Sequence, residues 1–226
     1  MAREQLDKRI KKLRKDVQTL ESMVRKATQE AVHALITRDS KQAKKVYLND
    51  KKINKKRFQI ERDCLITIAT QQPMATDLRI LASLLEVSTE LERMGDYAKG
   101  IARINLLTGG KPILPPMNDL VEMTEITVDM LKRSVKAFVR EDAEAARKIP
   151  KEDDKVDEIF NKIYHGLVDH MGKDPESVNH ANHLQWAAHN IERMSDRVIN
   201  ICERTIFIVT GEMHEIEESD DEWNLQ

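Results

Sequence analysis

Little punctuates this chain. Seven glycines and six prolines serve 226 residues and gather at a few places, so the segments between them are long. No convincing polar–apolar alternation occurs, and no sheet is expected. Aromatic residues make up only 4%. Without stacking platforms or a recognition motif, nucleic acid is not an expected partner. There are two cysteines, Cys64 and Cys202, and no Cys-x-x-Cys, which argues against a disulfide framework or a thiolate zinc site. The opening MAREQLDKRIKKLRKD holds no apolar signal-peptide region. The longest apolar run, Ile206–Val209, is far too short to span a bilayer. The expectation is a soluble protein of a reducing, cytoplasmic compartment. GGKP lacks phosphate-loop spacing, and Thr19, Thr67, Thr70 and Ser83 belong to no Ser/His/Asp arrangement. Neither supports a catalytic assignment.

What is present is a 3–4 periodicity. Leu6, Ile10, Leu13, Val17, Leu20, Val24, Ala27 and Ala31 form one seam, and Val121, Thr124, Val128, Leu131, Val135 and Phe138 form another. Such seams belong to long helices packed in a bundle. Breaks fall at Thr37–Ser40, Gln71–Pro73, Thr108–Pro116, Glu141–Asp142, Gly172–Pro175 and Gly211, each with a cap, a stop or a helix-opening proline. TGGKPILPP is the strongest interruption. Three helices precede it and three follow. The prediction is all-α: two tandem, pseudo-symmetric three-helix bundles, residues 1–110 and 111–226, six long helices in all. Pro150 should interrupt the fifth near its first turns.

The halves repeat each other. ELERMGDYAKGIAR starts at Glu90 and NIERMSDRVINICER at Asn190; Asp39 matches Asp142, and Asp50-Lys-Lys-Ile-Asn54 matches Asp153-Asp-Lys-Val-Asp157. A repeat of about 100 residues is too long for a solenoid unit and fits a duplicated bundle.

Charge is uneven. Residues 1–60 hold 18 Lys/Arg against 7 Asp/Glu, so the remainder is acidic. The basic start reads either as solvated helix faces or as a docking surface for anionic lipid or an acidic partner. The tail from Glu212 to Glu222 has seven acids and no Lys or Arg, and reads as a frayed end.

Acids also interrupt the seams. Asp50 and Asp153 take positions that should be apolar, with Asn54 and Asp157 one turn further on. A core Asp is costly unless paired or bound to a cation. Glu92/Asp96 and Glu192/Asp196 are i,i+4 pairs flanking apolar seams, and like charges at that spacing repel. If the second helix packs on the third, and the fifth on the sixth, four such groups converge in each half. Oxygen donors in a partly dry place suit a hard cation: iron(III), manganese(II), magnesium or calcium. Gly95 and Ser195, between the acids, leave room for close approach. The alternatives are ordinary surface charges, or pairing with Arg93 and Arg193, which point away from the neighbouring Glu and read as surface caps. Di-iron oxygen chemistry is disfavoured, because no Glu-x-x-His falls at these acids. His180, His183 and His189 crowd the start of the sixth helix; a zinc or nickel site there competes with solvent-facing or capping roles.

LERMGD, IERMSDRVINICERTIFIVTGE and QQPMATDLRIL resemble the signatures of the PhoU family from Leu13 to about Gly211. The resemblance implies two similar three-helix bundles side by side. It implies a negative regulator of phosphate uptake and phosphate-starvation signalling, not an enzyme. It also implies contact with the ATPase subunit of a phosphate ABC transporter and with a sensor histidine kinase, a homodimer, and membrane association through those partners. It implies a multinuclear metal centre, iron first, with manganese, magnesium, zinc or nickel as alternatives. The family's acidic pairs map onto Glu92/Asp96, Asp153/Asp157 and Glu192/Asp196, with Asp50 and Asn54 at the fourth pair and Asn200 completing the second signature. Asn54 and Gly100 depart from the pattern, so the second site should be the more fully occupied. A carboxylate-bundle metalloenzyme, a metal store and a metal-free scaffold are the competing readings.

Overall fold

The computed structural model describes residues 2–213, 215 and 216. Most of the acidic tail lies outside these residues. Among the described residues there is no strand, and no helix is long and apolar enough to cross a membrane. The helices are α1 (Ala2–Thr37), α2 (Ser40–Gln71), α3 (Ala75–Thr108), α4 (Leu120–Arg140), α5 (Ala143–Lys148), α6 (Asp153–Lys173) and α7 (Val178–Thr210). Pro150 acts as expected: a 3-10 turn at Ile149–Glu152 separates α5 from α6. Together they form the broken fifth helix of a six-helix plan.

The first two helices of each half are joined by the same device. Asp39 N donates to Ala34 O at 2.8 Å and Arg38 N to Leu35 O at 3.3 Å; Asp142 N donates to Ala137 O at 3.0 Å and Glu141 N to Phe138 O at 3.3 Å. This pattern closes a helix on a left-handed residue. Here that residue is Arg38 (φ 60°) in one half and Glu141 (φ 57°) in the other. Each aspartate then caps the next helix: Asp39 accepts from the N–H groups of Lys41 and Gln42, and Asp142 from that of Ala145.

The first bundle is α1–α2–α3 and the second is α4–α5/α6–α7, joined by α3 on α7 and α1 on α4. One continuous core runs through both. The α1 seam is buried as expected, with Ala27 partly so. On α4 the expected Thr124, Val128, Leu131, Val135 and Phe138 are buried, Leu120, Met123 and Met130 widen the stripe, and of the expected seam only Val121 lies outside, 41% exposed. A 3-10 segment at Pro115–Asp119 leads into α4; it buries Met117 and brings the helix in with Leu120 inward. Both cysteines are buried free thiols, each pushed up to about 12 chiefly by burial, which leaves them unreactive.

Candidate metal centre

The acid clusters form where α2 meets α3 and where α6 meets α7. In the first half, Asp50 points into the bundle and is 5% exposed. Lys99 Nζ, from α3, donates to Asp50 Oδ2 at 2.7 Å and lies 3.7 Å from Asp96 Oδ1. The same ammonium is 5.7 Å from the centroid of the Tyr47 ring, within cation–π range. Asn54 Nδ2 reaches Asp50 Oδ2 only at 3.5 Å, and Asp50 Oδ1 and Asn54 Oδ1 are buried acceptors without a hydrogen-bond partner. Glu92 and Asp96 are both held above the ordinary carboxylate range. Burial is the first cause for each; Asp96 then raises Glu92, and Asp50 raises Asp96.

In the second half, Asp153 opens α6 directly after the Pro150 turn and is 7% exposed. Glu192 is pushed up to about 7, by burial first and then by Asp196; Asp157 and Asp153 add to the effect and Arg193 opposes it. These causes join the four acids electrostatically across the α6–α7 contact. His189 Nδ1 lies 3.1 Å from Glu192 Oε2. Its ring is near Phe160 and Trp186, with centroids 5.9 and 5.7 Å away. Burial first, then Arg193, pulls His189 below 6.5, so at neutral pH its contact with Glu192 is not a full ion pair. Arg193 Nη1 sits 3.0 Å from Asp196 Oδ2. That corrects the expectation that both arginines are surface caps; Arg93 reaches Glu90 at 3.6 Å.

Asn200 faces the partner half. Its Nδ2 donates to Glu90 Oε2 at 3.2 Å, where Arg197 Nη1 also approaches at 3.5 Å. Opposite, a Cβ on Gly100 would come within 3.0 Å of Asn190 Nδ2. Glu90 matches Asn190 and Gly100 matches Asn200, so the two contacts are one contact repeated about a pseudo-two-fold axis between antiparallel α3 and α7. Gly100 thereby makes room for Asn190. Gly95 is filled in the same sense: a Cβ there would lie 3.0 Å from Ile53 Cγ2. It admits α2, where close approach by a ligand was expected. Ser195 is fully buried and its hydroxyl donates to Glu192 O at 2.8 Å. Of the other histidines, His180 Nε2 is 2.9 Å from Pro112 O, tying α7 to the inter-bundle segment.

Sequence reasoning thus missed Lys99 and Glu90, and it named His189 only among the crowded histidines, without its contact to Glu192. Lys99 stands three residues after Asp96 and His189 three before Glu192, and that spacing was available as a signal. The donors present are carboxylate and amide oxygens, which fit a hard cation. The fit is sharpened by the unpartnered Asp50 and Asn54 oxygens and by mutual repulsion among acids that a cation would relieve. Among the described residues, no three His, Cys, Asp or Glu side chains stand as a ready metal cage.

The fold has close counterparts. The PhoU domain model matches residues 17–104 and 120–205, one copy in each half. The chain is 34% identical over 206 residues to the phosphate-specific transport system accessory protein PhoU homolog 1 of Methanothermobacter thermautotrophicus, covering 91% of this chain and 94% of that one. It is 33% identical over 208 residues to the phosphate-specific transport system accessory protein PhoU of Escherichia coli, covering 92% and 86%. The crystal structure of PhoU from Pseudomonas aeruginosa superposes with a TM-score of 0.86 at 29% identity, covering 91% of this chain and 99% of that one. The structure of the phosphate transport system regulatory protein PhoU from Streptococcus pneumoniae gives 0.86 at 27%, covering 93% and 100%. With both halves matched by the family's domain and the relatives aligned over nine-tenths of its length, the chain belongs to the PhoU family.

Proposed function

We propose that this chain is an accessory regulator of phosphate-specific transport, a negative regulator of phosphate uptake and starvation signalling. One observation carries this reading: relatives named phosphate-specific transport system accessory protein align with it across both halves. In this reading it acts in the cytoplasm as a homodimer and reaches the membrane through its partners. Those partners are the ATPase subunit of a phosphate ABC transporter and a sensor histidine kinase. It regulates by contact and performs no catalysis. Pull-down of the purified ATPase subunit across phosphate and nucleotide conditions tests this; no association under any condition overturns it.

The acid clusters are the proposed metal centres, with iron the first candidate and manganese, magnesium, zinc or nickel behind it. Asp153, Asp157, Glu192 and Asp196 would hold the cation in the second half, and Asp50, Asn54, Glu92 and Asp96 in the first. A bound cation would supply the positive charge that lets these carboxyls ionise together. The two sites are unequal in this reading. Lys99 bridges α2 and α3 with its own ammonium, whereas the Arg193–Asp196 pair runs along α7. Elemental analysis of protein purified without chelator tests for a resident metal. Metal titration of Asp50→Ala/Glu92→Ala against Asp153→Ala/Glu192→Ala tests the inequality, with the larger loss expected in the second variant.

A further inference from the structure

The outer ridge of α2 is a line of basic and large apolar side chains with nothing over it among the described residues. Lys41, Lys44, Leu48, Lys51, Lys55, Phe58, Arg62 and Leu65 follow one another at steps of three and four, and all are exposed. Leu48, Phe58 and Leu65 are 53%, 60% and 52% exposed, an unusual degree for such side chains in one row. The line is roughly 36 Å long at about 1.5 Å per residue. Lys45 and Lys52 flank it.

The ion pairs separate this ridge from the rest of the basic N-terminal region. On α1 most bases are engaged: Arg3 with Asp77, Lys8 with Glu4, Lys12 with Asp63, Arg14 with Glu141, Arg25 with Glu21. On the α2 ridge, among the described residues, Lys41, Lys44, Lys51 and Lys55 make no ion pair, and only Arg62 has an acid, Asp63. Among the described residues, the second half lacks an equivalent. On α6, Lys155 pairs with Glu122 and Lys162 with Asp119, and exposed Asp154 and Glu158 stand beside Lys155. The ridge is therefore a property of one face of the first bundle, not of the duplicated fold.

We infer that this ridge docks directly on an anionic lipid surface. Charge excludes a second copy of the same ridge, since like charges would face each other. Shape and composition then favour lipid over an acidic protein. Protein interfaces are depleted in lysine and seat their anchors in pockets, whereas this ridge is convex and lysine-rich. An interfacial helix has the opposite needs: lysines that reach the headgroups on flexible stems, and Phe or Leu that enter the acyl boundary between them. Phe58 also has the Arg57 guanidinium 5.0 Å from its ring centroid, which sets a cation beside the inserting ring.

The test is co-sedimentation of the full chain with vesicles of phosphatidylcholine alone or with one-third phosphatidylglycerol. Binding should require the anionic lipid and weaken from low to physiological salt. Lys51→Glu/Lys55→Glu should lose at least tenfold in binding. Lys111→Glu/Lys173→Glu, with the same change in net charge at exposed sites off the ridge, should stay within about twofold. A Phe58→Trp variant should add a blue-shifted emission component on anionic vesicles that the wild type lacks. All substituted positions are exposed, and far-UV circular dichroism checks folding. Binding independent of lipid charge, equal loss in both double variants, or no vesicle binding overturns the inference. Capture of a polyglutamate peptide without vesicle binding, lost in Lys51→Glu/Lys55→Glu, overturns it in favour of an acidic protein.

Discussion

Lys99 places its ammonium 2.7 Å from Asp50 Oδ2, and the residue at its register in the second half is Ile199, buried in the α7 interior. The first cluster therefore carries a tethered cation of its own. Removing it in Lys99→Met should strand a buried carboxylate and cost about 1–3 kcal/mol, less than for a fully buried pair because the lysine is one-third exposed. Urea unfolding in the presence of a chelator reads that loss. The same variant should bind more manganese than wild type; unchanged stoichiometry would show that Lys99 is not what keeps a metal out. Glu192 gives the opposite pH signature. Its folded pKa of about 7 stands above the ordinary 4.5, so between these values the folded state keeps a proton that the unfolded state has lost. Stability without metal should therefore fall as pH rises from about 4.5 to 7 and then level off. Glu192→Gln should remove that fall and gain about 1–2 kcal/mol above pH 7.5, solvent screening having reduced the full effect. Thermal melts at pH 5, 6, 7 and 8 check it. The pairing of Asp50, Asp153, Glu92 and Glu192 into two clusters was legible because seam position and i,i+4 spacing are local. The destination of Asn200 was not, since only the packing of α3 on α7 brings Glu90 to it.

At the scale of elements, the helix breaks were legible because their causes are single residues: Asp39 and Asp142 as caps, Pro150 as a stop. The left-handed Arg38 and Glu141 were not, because side-chain identity gives no sign of φ when the surrounding turn imposes it. The α4 seam was read correctly from Thr124 to Phe138 and misread only at its entry, Val121, which is set by the 3-10 turn before it. Gly95 illustrates how elements trade volume. It accepts Ile53 at a distance that leaves no room for a Cβ. In the second half the same registers hold Val156 and Ser195, both fully buried: one side chain is smaller by a methylene and the other larger by a hydroxymethyl. Gly95→Ser alone should overpack the α2–α3 contact and cost about 1–3 kcal/mol. Adding Ile53→Val should recover at least half of that. A double-mutant cycle in urea reads the coupling, and additive effects would show that the two positions do not share the space.

At the scale of the molecule, the central antiparallel pair α3–α7 makes each half part of the other's interior. Arg14 on α1 donates to Val139 O at 2.8 Å and pairs with Glu141. Arg79, near the start of α3, donates to Ile208 O at the end of α7. Thr28 lies against Met194, and Glu90 takes both Arg197 and Asn200. A duplicated chain with a small, wet seam would unfold one bundle at a time, as domains joined by a polar interface do. Here the seam is the continuous core itself, so opening it exposes apolar surface on both sides at once, and that penalty couples the halves. Unfolding should therefore be a single transition. Far-UV circular dichroism reports all helices, while Trp186 fluorescence, read in a Trp223→Phe background, reports the second bundle alone. The two urea midpoints should coincide. Arg14→Ala and Glu90→Ala, each removing a contact across the seam, should each cost about 1–2 kcal/mol and move both midpoints together. Separate transitions, or a variant that shifts one probe and leaves the other, would mean that the halves are coupled by the chain alone and not by the core they share.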